Sequence, residues 1–191
     1  SSILRDSENN IWIGTLNGLF KITNGINKFQ VDAKSPIVAN NIRIKKILVS
    51  SENEKIIFAE NGSTILFIAS NNQLSGKYQT PFQTNDIINA IEINNNEYLI
   101  STWHGIFSFY RKENYFEPCK YIPDSVSQHV CWGLLKDRHN NVWMGLGGGK
   151  GLYRYNIITK ETKHFSQYNY APTDARYLPI RNAMSILEID K

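Results

Sequence analysis

Trp103 and His104 stand side by side in Ser-Thr-Trp-His-Gly, at a place where the matching stretch Gly-Thr-Leu-Asn-Gly carries Leu16. An indole face stacks on a sugar ring, and an imidazole hydrogen-bonds a hydroxyl or an acidic group. Further along, one segment gathers Tyr168, Tyr170, Arg176, Tyr177 and Arg181. Trp103, His104, Tyr177, Arg176 and Arg181 are therefore the candidate ligand contacts, with the arginines favouring an acidic ligand. Catalytic and metal chemistry is weakly supported. His104, His129, His139 and His164 show no metal-ligand spacing. Gly147-Gly-Gly-Lys-Gly151 lacks the Ser/Thr and helix that a phosphate loop needs, so it reads as a turn in which Gly supplies positive φ. Asp124, Ser127 and His129 share one loop, which does not make a triad without geometry. No catalytic residue, metal or cofactor is expected. Cys119 and Cys131 are expected to lie far apart, without a disulfide.

The elements that must carry these residues are strands. Among 191 residues there are 25 Ile, 10 Tyr, 9 Phe and 4 Trp against 8 Ala, a bias toward pleated, half-buried surfaces. Twenty-two Asn and 12 Gly supply turns. The net charge is +4 and the basic residues are scattered, which argues against nucleic acid. No stretch reaches the roughly 20 apolar residues of a membrane span, so direct membrane insertion is not expected.

The chain repeats itself. Residues 3–20 (Ile-Leu-Arg-Asp-Ser-Glu-Asn-Asn-Ile-Trp-Ile-Gly-Thr-Leu-Asn-Gly-Leu-Phe) match Leu134-Leu-Lys-Asp-Arg-His-Asn-Asn-Val-Trp-Met-Gly-Leu with Gly151-Leu-Tyr153. Weaker copies run through 55–67 and 97–107. Aligning Trp12, Ile57, Leu99 and Trp143 spaces the copies by 45, 42 and 44 residues. A period in the forties with several short strands per unit predicts an all-β chain, a β-propeller segment of about four four-stranded blades. The blades are expected over 1–34, 42–78, 85–120 and 128–168, with one strand of a fifth over 180–191. Trp12 and Trp143 are expected to fill the gap between adjacent blades. Gly14 and Gly145 admit a neighbouring backbone, and Asp6 and Asp137 accept N–H groups of tight turns. On this plan one loop face carries 16–17, Asn61, 103–104 and 147–150, together with the links 35–43, 80–86, 121–129 and 168–181.

The pattern Asp-x-x-x-Asn-Ile/Val-Trp-Ile/Met-Gly, with Gly-Leu-Phe/Tyr after it, resembles the two-component regulator propeller repeat. Pro123-Asp-Ser-Val-Ser resembles that family's lead-in to a blade. The resemblance implies the periplasmic sensor region of a hybrid two-component histidine kinase, whose kinase modules lie in other parts of a longer protein. It further implies a non-enzymatic segment responding to polysaccharide-derived oligosaccharides, located outside the cytoplasm. The partners expected are an oligosaccharide, the rest of the parent sensor and a homodimer mate. Two rival readings stay open: a purely structural, protein-interaction arc, and a propeller-type carbohydrate-active enzyme.

Overall fold

The computed structural model describes residues 2–16, 18–23, 30–31, 43–59, 64–69, 73–82 and 86–189. The sequence-based expectations for Asn17, 28–29, Asn61, 35–42, 83–85 and the last two positions lie outside them. The chain divides into two compact units, 1–87 and 88–191.

Among the described residues, sixteen strands form four antiparallel sheets, each a four-stranded meander. The first contains β1 (Ser2–Arg5), β2 (Ile11–Thr15), β3 (Gly18–Ile22) and β4 (Gln30–Val31). The second contains β5 (Ile44–Val49), β6 (Lys55–Ala59), β7 (Thr64–Ile68) and β8 (Leu74–Gln79). The third has β9 (Ile87–Glu92), β10 (Glu97–Thr102), β11 (Gly105–Tyr110) and β12 (Tyr115–Pro118). The fourth has β13 (Cys131–Lys136), β14 (Asn141–Leu146), β15 (Gly151–Asn156) and β16 (Thr162–Phe165). One helical turn, α1 (Asp124–Ser127), precedes β13. These are propeller blades, and the fold is an all-β propeller segment.

A carboxylate builds the first hairpin of the first and fourth blades. Asp6 Oδ1 accepts the N–H groups of Glu8 (3.0 Å) and Asn10 (2.9 Å), and Oδ2 accepts the Trp12 indole N–H at 2.7 Å. Asp137 does the same for His139 (2.9 Å), Asn141 (2.8 Å) and Trp143 (2.7 Å). The Asn side chain donates to the carboxylate in both. The repeat's Asp, Asn and Trp are thus one hydrogen-bonded lock. Burial raises the Asp6 and Asp137 carboxyls, but the indole, Asn and backbone donors outweigh it, so both lie below the ordinary carboxylate value. A depressed native pKa contributes stability above the unfolded value, about 3.9 for Asp. Urea midpoints should therefore fall as pH drops from about 5 through that value and on through the lower native one, and Asp137→Asn should flatten the fall.

The turns correct the register of the second blade. Ser50 N–H donates to Glu54 O, and Asn53 N–H to Ser50 O, as Asp6 and Asn9 do in the first turn. Asn9, Asn53 and Asn140 share positive φ. Ser50 therefore occupies the Asp position, and its Oγ accepts the Glu54 N–H at 3.1 Å. Six residues on, the Trp position falls on Ile56, not Ile57, and the Gly position on Phe58. A one-residue shift in the expected alignment arose because both Ile56 and Ile57 are apolar and fully buried.

In unit 1 the core joins both blades: Trp12, Leu19, Ile44, Ile47, Ile57, Leu66 and Ile68. A Cβ on Gly14 would lie 2.5 Å from Ile44 Cγ2, so glycine is what lets β5 lie against β2. Trp12 is 1% exposed, with Lys55 Nζ 4.8 Å from its ring centroid. Trp143, expected to be equally enclosed, is only half-buried. It stacks on Phe165 and lies under the Arg154 guanidinium.

The core of unit 2 includes Leu99, Ile106, Ile122, Cys119, Cys131, Val142, Met144 and Leu146. The two cysteines are free and buried in this one cluster rather than separated, and burial pushes both thiols up, Cys119 to about 12. The strand expected over 180–191 forms no ladder among the described residues, where Gly151–Asn182 is a lone parallel bridge. The segment nevertheless lies where the next blade's inner strand would. Ala183 packs on Gly145 and Ile186 on Gly133, as Ile44 packs on Gly14, and Arg138 Nε holds Glu188 at 2.9 Å.

Candidate ligand-binding surface

Two groups of the predicted residues separate within unit 2. The first sits at the ends of β10, β13 and β14. Thr102 Oγ1 donates to Gly105 O (3.0 Å) and accepts the His104 N–H (3.0 Å), closing a two-residue turn that leaves Trp103 51% exposed. Gly105 has φ +130° and packs against Ser127 O, so the turn is seated on the end of α1. Trp103 meets Trp132 edge to face, with centroids 4.6 Å apart. Trp132 lies in the bulge between Cys131 and Gly133. A bulge re-aims the side chain of its extra residue, and here it turns Trp132 toward the turn of the preceding blade. Sequence reading passed over Trp132 because it lies before the repeat motif, which begins at Leu134. Its signal was a Trp in an inner strand.

Trp132 Nε1 lies 3.1 Å from where a Gly147 Cβ would stand, and Tyr168 Cε2 lies 3.1 Å from a Gly149 Cβ. Glycines at 147–149 let the β14–β15 turn thread between these rings, with positive φ at Gly148 and Gly149. Tyr168 OH accepts the Arg181 Nε–H at 2.6 Å, which lowers the Tyr168 phenol. Gly149 N–H donates to Asn182 Oδ1 at 3.3 Å. Gly148, Gly149, Tyr168, Arg181 and Asn182 line an open cleft of ≈ 430 Å³. Contacts thus run from Trp103 through Trp132 and the glycine turn to Tyr168 and Arg181.

Arg176 belongs elsewhere. It lines a second open cleft, of ≈ 700 Å³, beside β15 and β16, with Arg154, Lys163, His164, Tyr170 and Asp174 among its walls. Arg176 Nε and Nη2 donate to both Asp174 oxygens (3.0 and 2.7 Å). That pairing holds the Asp174 carboxyl down at about 2. Tyr177 is half-buried and its N–H donates to Asp174 O. The single expected ligand set is therefore two places, Trp103, His104 and Arg181 at one and Arg176 with Tyr177 beside the other.

In the loop holding Asp124, Ser127 and His129, the serine hydroxyl is bonded to the backbone and not to His129. Ser127 Oγ donates to Asp124 O at 3.0 Å, which caps the helical turn. No group of three His, Cys, Asp or Glu among the described residues is arranged to hold a metal. No helix among them is long and apolar enough to cross a membrane.

Comparison with known proteins adds a family signature to this geometry. Residues 1–17 match the family model "Two component regulator propeller". That match covers 17 of the 191 residues, the first copy of the repeat. The matched residues contain the Asp6–Asn10–Trp12 lock described above. Among solved structures, the extracellular domain of the hybrid two-component system BT4673 from B. thetaiotaomicron aligns with TM-score 0.65 and 16% identity over 97% of this chain and 24% of that one. The extracellular domain of the BT3049 system from the same organism aligns with TM-score 0.57 and 17% identity, over 86% of this chain and 24% of that one. Virginiamycin B lyase from Staphylococcus aureus aligns with TM-score 0.62 and 14% identity, over 90% of this chain and 55% of the enzyme. The chain therefore spans about half the length of the lyase and a quarter of the two-component extracellular domains. At these identities the likeness is one of fold, and that fold occurs both in extracellular domains of two-component systems and in a lyase. Among curated proteins, none matches.

Proposed function

We propose that this chain is a ligand-recognition segment of an extracytoplasmic two-component sensor, and that its loop face in unit 2 binds an oligosaccharide derived from a polysaccharide. The observation that carries this reading is the exposed Trp103 set edge to face on Trp132, in contact continuity with the Tyr168–Arg181 pair. Large rings with water-facing surfaces supply stacking area at low entropic cost, and Arg181, Asn182 and His104 supply donors and acceptors for hydroxyls. The repeat signature and the fold shared with hybrid two-component extracellular domains support the sensor assignment and a periplasmic location. Kinase chemistry would reside in other parts of a longer protein.

A thermal-shift screen of plant and host oligosaccharides against the 191-residue chain should find at least one stabilising ligand. Calorimetric titration of that ligand should show Trp103→Ala weakening binding by about tenfold or more, as for loss of a stacking anchor. The variant's own stability should stay within about 1 kcal/mol of wild type, since the ring is half exposed. Unchanged affinity would remove Trp103 from the site.

A further inference from the structure

The cleft beside β15 and β16 is separate from the loop face and has a chemistry of its own. Its walls bring three cations, Arg154, Lys163 and Arg176, together with two carboxylates, Glu161 and Asp174. The carboxylates do not saturate the donors. Glu161 is shared between Lys163 Nζ at 3.2 Å and Arg154 Nη2 at 3.6 Å, the latter beyond hydrogen-bond reach. Arg154 Nε is buried with no hydrogen-bond partner. Asp174 is wholly committed to Arg176, whose Nε and Nη2 and backbone N–H all donate to it.

That commitment fixes the Arg176 guanidinium. It is clamped along one edge by Asp174, and its centre lies 4.2 Å from the Tyr170 ring centroid. The edge carrying Nη1 is not used by Asp174, and the residue is half exposed at 51%. A guanidinium held by a carboxylate on one edge and a ring below is pre-organised, so a second oxyanion can pair with its remaining donors at little ordering cost. Tyr170, His164 and Phe165 add ring walls, and a cleft of ≈ 700 Å³ is of the size that small-ligand sites have.

We propose that this outer cleft of the fourth blade binds the oxyanion group of an acidic sugar, either a uronate carboxylate or a sulfate ester, with Arg176 as its principal contact and Asp174 as the residue that positions Arg176. Lys163 adds charge at the rim. The proposal takes the sugar class from the carbohydrate reading above, and its oxyanion contact does not depend on the loop face.

The test is an NMR titration of the ¹⁵N-labelled 191-residue chain with sodium glucuronate, glucose 6-sulfate and glucose. At least one of the two anionic sugars should shift the amides of 161–165, 170 and 174–176, while glucose should not. A response to only one of them identifies whether the carboxylate or the sulfate is recognised. Arg176→Gln should weaken binding about tenfold or more, as for loss of a bidentate charged contact. Arg176→Lys, which keeps the charge and loses the planar fork, should weaken it nearly as much, and it serves if the Gln variant does not fold. Asp174→Asn separates positioning from bulk charge. Removing a negative charge from the cleft would tighten an anion held by general attraction, whereas release of the Arg176 clamp should loosen it several-fold. The proposal is overturned if neither anionic sugar shifts these amides, if Arg176→Lys binds like wild type, or if Asp174→Asn binds more tightly.

Discussion

Trp12→Ala is expected to destabilise residues 1–87 by about 3–5 kcal/mol, the range for removing a fully buried large aromatic. The ring is 1% exposed and packs among Leu19, Ile44, Ile47 and Leu66. Its loss would also leave Asp6 without its indole donor in a buried turn. Trp143→Ala, in the equivalent place, should cost less, about 2 kcal/mol, because more of that ring already meets solvent. His139→Ala should stay within about 0.5 kcal/mol, as for an exposed turn side chain. Urea denaturation of the three variants checks the order. Equal midpoints for Trp12→Ala and His139→Ala would contradict the placement of Trp12 in the blade core.

Gly151→Ala should be nearly as damaging, about 2–4 kcal/mol, for two additive reasons. Gly151 has φ +74°, which an L side chain adopts at a cost, and a Cβ there would stand 2.2 Å from Phe165 O. That oxygen belongs to β16, so relief requires moving the ladder between β15 and β16. The β15–β16 pair also supplies Arg154, Lys163 and His164 to the outer cleft. The variant should therefore show both a lower urea midpoint and shifted amides at 162–165. A midpoint equal to wild type would show that the turn has room the structure does not give it.

Much of this architecture was legible because the repeat's residues act together. Asp6, Asn10 and Trp12 recur as Asp137, Asn141 and Trp143 since one carboxylate must satisfy a turn and an indole at once. Where chemistry substitutes for identity, reading by residue type slipped. Ser50 performs the Asp role with a hydroxyl, so the second blade aligned one residue late. The inter-blade glycine rule held for Gly14 against Ile44 and for Gly145 against Ala183, because backbone approach leaves no space for a Cβ. Strand formation over 183–189 was not decided by its own apolar pattern. A strand needs ladder partners, and among the described residues this segment has packing against Gly145 and Gly133 and the Arg138–Glu188 pair but no ladder. The candidate site was half legible. Trp103 stood out as an exposed Trp in a turn, whereas Trp132 was aimed toward it by a bulge, which no residue type announces. Arg176 and Arg181 lie five residues apart and looked like one cluster. Local pairing, Arg176 to Asp174 and Arg181 to Tyr168, sends them to different clefts.

Hydrogen exchange with a stabilising neutral oligosaccharide tests most directly whether the loop face is the recognition surface. The account predicts slowed exchange at the amides of 102–105, 147–150, 168 and 181–182 on ligand addition, with the turns at 7–10, 94–96 and 138–141 unchanged. Protection confined to those latter turns, or spread across the strands with none at 102–105 and 147–150, would contradict it.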